Sequence, residues 1–168
     1  MTVKLVSWRP AALLLATASL WGSAAAQAVR PAALPTAGVV AGQDAGGKRS
    51  VWDGVYTDEQ ARRGEAHYAR VCEACHGADL SGNPVTEIPA LVWDAFLTQW
   101  NQRTIGQLYE AMKRSMPKDS PGSLNARAYA DLVAYLLQAN KFPSGTRELS
   151  LNPDVLAQIV IERNRNRN

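Results

Sequence analysis

The sequence predicts an all-α domain with three main helices, and three features of its pattern support this. Apolar side chains recur at three- and four-residue spacing in three segments between residues 51 and 140, as in amphipathic helices. Each segment follows a threonine or an asparagine, residue types that cap the beginning of helices. No segment alternates convincingly between apolar and polar residues, so no strand is expected.

The first helix is predicted over residues 57–72. Thr57 and Gln60 stand at the spacing of a capping box, in which each side chain accepts a hydrogen bond from the backbone of the other residue. Gly64 and Tyr68 recur on the face opposite to the arginines of this segment. We therefore expect the face with Gly64 and Tyr68 to be buried.

Two further main helices and a short one are predicted toward the C-terminus. Thr104 is the expected N-cap of a helix over Ile105–Ser115. Asn125 precedes a helix over residues 126–140, which has the strongest amphipathic pattern in the chain. Apolar residues between 153 and 162 indicate a last, short helix.

The composition divides the chain into four predicted parts. Residues 1–28 begin with two basic side chains, continue with an apolar run and end in small residues, which is typical of a secretory signal peptide. Residues 29–50 are rich in alanine and glycine and are predicted to form a flexible linker. Residues 51–145 form the expected folded domain, and residues 146–168 form a C-terminal extension without an assignable motif.

The signal peptide predicts export to the periplasm. Its apolar run, residues 11–22, is 12 residues long, whereas a membrane-spanning helix needs about 20 mostly apolar residues. Cleavage after export is therefore expected. The alternative is that residues 1–28 stay uncleaved and anchor the protein to the membrane, facing the periplasm.

The charge distribution argues against nucleic-acid binding. The chain has a formal net charge of +3, but residues 51–140 hold eight basic and eleven acidic side chains, a net charge of −3. A nucleic-acid-binding domain instead carries a basic stripe on its folded surface. The basic excess here lies in the flanking segments.

The chemistry of the chain centres on residues 72–76, Cys-Glu-Ala-Cys-His, which contain its only two cysteines. This C-x-x-C-H spacing indicates attachment of a c-type haem, because two thiols three residues apart reach two vinyl groups on one porphyrin edge. The adjacent His76 can then bind the iron. The alternatives are a thioredoxin-like redox pair, a zinc site and a simple disulfide; zinc would need two ligands besides the cysteines, and His67 and His76 are the only histidines of the chain.

Met116 is the best candidate for the sixth iron ligand. Pro117 follows it, and proline disfavours the helical conformation at the preceding residue, so the chain is expected to leave the helix there. Met112, one helical turn earlier, lies on the apolar stripe and is predicted to fill the core. His67 shares a helix with Cys72 and is not expected to reach the opposite haem face.

Residues 52–145 resemble the class I cytochrome c family. The resemblance covers somewhat over half of the chain and includes the capped first helix, Gly64, Tyr68, the box at residues 72–76, Pro89-Ala90-Leu91, Met116-Pro117 and the aromatic last helix. It implies a small cytochrome c fold, in which three main helices pack around one covalently attached haem. Residues 51–57 and 139–143 are similar to a bacterial subgroup often associated with periplasmic dehydrogenases.

The resemblance also implies roles for individual residues. Gly64 and Tyr135 would mark the crossing of the first and last helices. The carbonyl of Pro89 would accept a hydrogen bond from His76, and Leu91 would pack on the haem. Trp100 is similar to a tryptophan that hydrogen-bonds a haem propionate, although an ordinary core tryptophan is nearly as good an interpretation.

The function implied is electron transfer in the periplasm, not enzyme catalysis. One haem c per chain, with His76 and Met116 as axial ligands, would carry one electron between redox proteins, from a dehydrogenase donor to an oxidase or cytochrome acceptor. Lys113, Arg114 and Lys118 flank Met116 and are a candidate docking patch. An enzyme or gas sensor with an open sixth position, and a non-haem protein using the two thiols, are the alternatives.

Overall fold

The computed structural model describes residues 47–163; the predicted signal peptide, most of the predicted linker and residues 164–168 lie outside this range. Within it, the strands and α-helices in chain order are β1 (Arg49–Ser50), α1 (Asp58–Val71), α2 (Glu73–His76), α3 (Trp93–Trp100), α4 (Ile105–Ser115), α5 (Ala126–Ala139), α6 (Pro153–Leu156) and β2 (Ile159–Val160). The described part contains no helix with the length and hydrophobicity needed to cross a bilayer. The mostly helical structure confirms the predicted fold class.

The three main predicted helices are present as α1, α4 and α5, each with its predicted N-cap. The Thr57, Thr104 and Asn125 side chains accept hydrogen bonds from the third backbone N–H of their helices. The reciprocal capping bond predicted for Gln60 is absent, because its side-chain oxygen accepts the N–H of Leu149 at 2.7 Å instead. Gln60 therefore ties α1 to the C-terminal segment.

Helices α1 and α5 cross at Gly64, as predicted. A Cβ atom at this position would lie 1.9 Å from the carbonyl oxygen of Asp131 and 2.8 Å from the Cβ of Tyr135. No side chain fits there, so the missing Cβ of glycine permits the close approach of the two backbones. On the same side, the rings of Tyr68 and Tyr135 pack with centroids 5.3 Å apart.

An ion-pair network also joins α1, α5 and the segment after them. The guanidinium of Arg63 donates two hydrogen bonds to the carboxylate of Asp131, whose side chain is 2% exposed. Arg63 also pairs with Glu148 at 2.8 Å, and Glu148 pairs with Arg127 at 2.8 Å. The buried Asp131 carboxylate is thus matched by a bidentate arginine, which is the geometry that a buried charge requires.

The C-terminal segment differs from the sequence prediction. The predicted helix over residues 153–162 ends at Leu156, and β2 follows it, paired in parallel with β1. Residues 49–50, predicted as flexible linker, are therefore part of the fold. Residues of the predicted extension also enter the main core, since Leu149, Leu156, Ile159 and Ile161 are all buried there.

The apolar core consists of two neighbouring clusters. The larger one contains side chains from α1, α3, α4, α5 and the C-terminal segment, among them Phe96, Trp100, Tyr129 and Leu137. The smaller cluster is built on Tyr68, Leu80, Val92, Leu132 and Leu136. Met112 and Leu124 are half-buried and pack against both clusters.

Helix α3 was not predicted from the sequence. It begins after Val92, which makes no side-chain capping bond. Its first residue, Trp93, has a φ of +59° and a side chain that is 63% exposed. The backbone N–H of Trp93 donates to the side-chain oxygen of Asn140 at 2.8 Å. The hydrogen bond to Asn140, the residue that follows α5, thus replaces a local cap.

Candidate haem site

The two cysteines and His76 lie on one turn at the end of α1. Cys72 follows the last residue of α1 and precedes α2, the single turn that carries Cys75 and His76. The backbone N–H groups of Cys75 and His76 both donate to the carbonyl of Cys72, at 3.1 and 2.9 Å. Residues three apart on a helical turn share a face, so the turn presents both thiols on the same side.

The imidazole of His76 is 8% exposed and is oriented by Pro89. Its Nδ1 lies 3.2 Å from the carbonyl oxygen of Pro89, which can only accept, so Nδ1 carries the proton. This bond fixes the ring and leaves Nε2 as the nitrogen for a metal. The hydrogen bond predicted between Pro89 and His76 is therefore present.

The loop that carries Pro89 is held against the cysteine box by a glycine. The N–H of Gly82 donates to the carbonyl of His76 at 2.9 Å, and Gly82 has a φ of +67°. A Cβ on Gly82 would lie 2.3 Å from the carbonyl oxygen of Ile88. Both the left-handed backbone and the close contact require glycine, and together they place Pro89 next to His76.

Tyr68 fixes the other side of the same turn. Its hydroxyl donates to the carbonyl of Gly77 at 2.6 Å. Burial raises the pKa of Tyr68, with a further contribution from Cys72, so the hydroxyl keeps its proton and remains a donor. The chain that follows the box is thus anchored at Gly77 and at Gly82.

Asn140 holds the segment that contains Leu91, and its role was not foreseen from the sequence. Its amide nitrogen donates to the carbonyls of Leu91 at 2.9 Å and Leu136 at 2.8 Å. Its amide oxygen accepts the N–H of Trp93. Leu91 itself is half-buried and packs against the same apolar cluster as Cys72. An asparagine at the end of a predicted helix gave no signal other than its polar side chain.

Met116 leaves helix α4 in an extended conformation, as predicted, with φ −131° and ψ +149°. Its carbonyl accepts a hydrogen bond of 2.8 Å from the hydroxyl of Tyr129 on α5, and its side chain is half-buried. Tyr129 is fully buried, so the backbone of Met116 is fixed from inside the core. The sequence did not predict this bond.

The two alternative iron ligands, Met112 and His67, lie on helices α4 and α1. Met112 lies inside α4 and packs against both apolar clusters. The Nδ1 of His67 lies 2.6 Å from a guanidinium nitrogen of Arg70, on the same helix that leads to Cys72. These positions agree with the sequence interpretation of both residues.

Trp100 is buried in the larger cluster, with the guanidinium carbon of Arg103 5.5 Å from its ring centroid. Within residues 47–163 its indole nitrogen donates no hydrogen bond. This placement is that of a core tryptophan with one accessible polar atom. The propionate contact that the family resemblance implies for Trp100 stays a prediction.

The Cys72 thiol does not have the lowered pKa of the attacking thiol in a reactive redox pair. Burial raises the pKa of Cys72 to about 11, with a further contribution from Cys75, whereas the attacking thiol of a thioredoxin-like protein has a lowered pKa. The described residues also contain no group of three or more His, Cys, Asp or Glu side chains that could hold a metal ion. A protein-only zinc site is thus not supported in residues 47–163.

The residues present fit a haem. Two thiols on one turn, an oriented imidazole and a thioether are the donors that covalent attachment and axial ligation require. Three half-buried apolar side chains, Leu91, Met112 and Leu124, pack on the cluster beside Cys72 and offer an incompletely covered apolar wall. A porphyrin face is apolar, so this wall is suited to cover it.

Comparison with protein-family models gives the same class. A family model described as "Cytochrome C oxidase, cbb3-type, subunit III" matches residues 59–136. The comparison with curated protein sequences gives no match. Among solved structures, the crystal structure of the sulfane dehydrogenase SoxCD from Paracoccus pantotrophus is similar at 25% identity and a TM-score of 0.43. The alignment covers 65% of this chain and 61% of that chain.

The family match extends from the beginning of α1 into the last turns of α5, and the oriented His76 beside two thiols lies inside it. The chain contains a c-type cytochrome domain over residues 59–136. It carries covalently bound haem c with its iron, as the matching cytochrome domain implies.

Proposed function

We propose that the protein is an exported one-electron carrier whose iron is held between His76 and Met116. The observation that carries the proposal is the placement of Met116. It lies where α4 ends in an extended conformation, and Tyr129 fixes its backbone. Cys72 and Cys75, the only cysteines of the chain, are the proposed attachment points for one haem.

When bound, the haem supplies an iron that gains and loses one electron. The chain's own residues supply the surroundings of that iron. Pro89 orients His76 through Nδ1, and the apolar cluster around Tyr68 and Leu91 excludes water. A thioether from Met116 favours the reduced iron and raises the potential relative to two nitrogen ligands.

A carbon monoxide experiment on the reduced wild-type protein tests this function. Two protein ligands leave no open position, so we expect a c-type reduced spectrum that carbon monoxide does not change. Rapid carbon monoxide binding to the wild type would instead support the alternative, an enzyme or gas sensor with an open site. Colour that leaves the polypeptide in acid acetone would contradict attachment through Cys72 and Cys75.

Export to the periplasm is part of the proposal and is supported by the pattern of residues 1–28. We expect the mature chain to begin near Gln27 or Val29 and to be recovered in the soluble periplasmic fraction. Mass spectrometry of the purified protein measures the N-terminus directly. An intact N-terminus in the membrane fraction would make the protein a membrane-anchored cytochrome facing the periplasm.

The proposed partners are redox proteins: a dehydrogenase as donor and an oxidase or another cytochrome as acceptor. The name of the matching family, a subunit of a cytochrome c oxidase, supports an electron-transfer partner of this kind. Lys113, Arg114 and Lys118 are all exposed and lie next to Met116. A basic patch beside the iron would steer an acidic partner toward the site where electrons leave.

Steering by these three side chains predicts a salt-dependent rate. The electron-transfer rate of the wild type with an acidic redox protein should fall as ionic strength rises, because added salt screens charges beyond about 10 Å at 0.1 M. A triple variant with Lys113, Arg114 and Lys118 replaced by glutamine should lose most of this dependence. Equal salt responses of the two proteins would place the docking site elsewhere.

A further inference from the structure

The C-terminal segment, residues 149–161, is built against the beginning of α4. Strand β2 pairs with Arg49–Ser50 on one side, and Val160 bridges to Thr104 on the other. The N–H of Ile161 donates to the carbonyl of Arg103 at 2.8 Å, and its carbonyl accepts the N–H of Gln102 at 2.7 Å. Backbone bonds from the C-terminal segment therefore hold the residues that lead into α4.

The same segment also packs against the first turn of α4. Gly106 is the second residue of this helix, and a Cβ there would lie 3.1 Å from the backbone nitrogen of Ala157 and 3.3 Å from the carbonyl carbon of Leu156. Leu156 is 1% exposed. The backbones of α4 and α6 are thus in direct contact at a position without a side chain.

Helix α4 is held at both ends by different parts of the chain. The C-terminal segment fixes its beginning, and Tyr129 of α5 binds the carbonyl of Met116 just after its end. The helix has 11 residues and is about 16 Å long. Because a short helix moves as a rigid rod, displacement of its beginning changes the direction in which its end presents Met116.

We propose that residues 149–161 form a brace that positions Met116 for the iron by fixing the beginning of α4. Ile161 in the brace and Gly106 on α4, which the brace contacts, are the positioning residues. The inference rests on the ligation by Met116 proposed above. The brace gives a role to part of the predicted C-terminal extension, which carries no assignable sequence motif.

The brace acts on the fraction of molecules in which the Met116 side chain has left the iron. An external ligand such as imidazole binds only to that fraction, so its apparent affinity is the intrinsic affinity multiplied by the open fraction. Loosening the beginning of α4 should enlarge the open fraction. Imidazole affinity therefore reports on the brace and not on overall stability alone.

Imidazole titration of the oxidised Gly106→Val variant tests the proposal. The added side chain meets the backbone of Ala157 and must push α6 away from α4. We expect the apparent imidazole affinity to rise about tenfold, equivalent to about 1.4 kcal/mol. The sulfur-to-iron charge-transfer absorption should weaken in parallel.

Ile161→Ala loosens the brace from its other end and should shift both readouts in the same direction. The milder Gly106→Ala should do the same if Gly106→Val does not fold.

Glu148→Gln is the matched control, since Glu148 precedes the brace but pairs with Arg63 and Arg127 on α1 and α5. This variant should keep the wild-type imidazole affinity within about twofold. Unchanged affinity in the folded Gly106 and Ile161 variants, with a lowered melting temperature only, would overturn the brace. A wild type without the charge-transfer absorption would instead overturn the ligation by Met116, and the brace with it.

Discussion

Replacing Met116 by alanine is expected to open the sixth position of the iron and to lower the reduction potential. Axial ligands set haem potentials over a range of about 0.8 V, and we expect the loss of the thioether to lower the potential by at least a tenth of that range. Carbon monoxide should then bind the reduced variant. Potentiometric titration and the carbon monoxide difference spectrum measure the two effects.

Met112→Ala is the control for this experiment. Met112 is half-buried and packs against both apolar clusters, so its removal should destabilise the fold by about 2 kcal/mol, the lower end of the range for a buried methionine. The potential and the carbon monoxide response should remain those of the wild type. The opposite pair of phenotypes, an open iron in Met112→Ala and a closed one in Met116→Ala, would reassign the ligand.

Arg63→Met is expected to destabilise the protein strongly. The variant leaves the carboxylate of Asp131 buried without its bidentate partner, and breaking a buried pair in this way costs about 3–5 kcal/mol. Denaturant unfolding followed by circular dichroism measures the free energy of unfolding. The haem stays covalently attached when the protein unfolds. Loss of haem therefore does not contribute to the difference in free energy of unfolding between the variant and the wild type.

Two further variants test whether the lost pair is the cause. Arg127→Met breaks only the exposed pair with Glu148 and should change the free energy of unfolding by less than about 1 kcal/mol. The double variant Arg63→Met/Asp131→Leu removes both buried charges and should recover most of the stability. A loss of less than about 1 kcal/mol in Arg63→Met would show that water compensates the carboxylate.

The parts of the fold that the sequence predicted well are those governed by local interactions. Helices α1, α4 and α5 carry their N-cap and their apolar stripe within one segment, so both signals can be seen in the sequence. The hydrogen bond between Pro89 and His76 and the crossing at Gly64 followed from the family resemblance. The extended conformation of Met116 followed from the proline after it.

The parts that were missed depend on contacts between residues far apart in the chain. Strand β2 has two residues, too few for a periodic pattern, and pairs with residues 110 positions earlier. Gln60 has the spacing of a capping residue, but its side-chain oxygen accepts the N–H of Leu149 instead. Helix α3 begins at Trp93, whose positive φ is uncommon for a bulky residue. Its backbone N–H is bonded by Asn140, 47 residues away, a partner that no local pattern reveals.

Helix α5 contacts the segments on both sides of the iron site. The carbonyl of Asp131 lies against Gly64 on the helix that leads to the cysteines, and the hydroxyl of Tyr129 holds Met116. These two contacts are two residues apart on one rigid helix, so any movement of α5 carries both sides together. The separation of the two proposed axial ligands, His76 and Met116, is then expected to change little when the iron changes charge. Small nuclear rearrangement means a low reorganisation energy, which favours fast electron transfer in both directions.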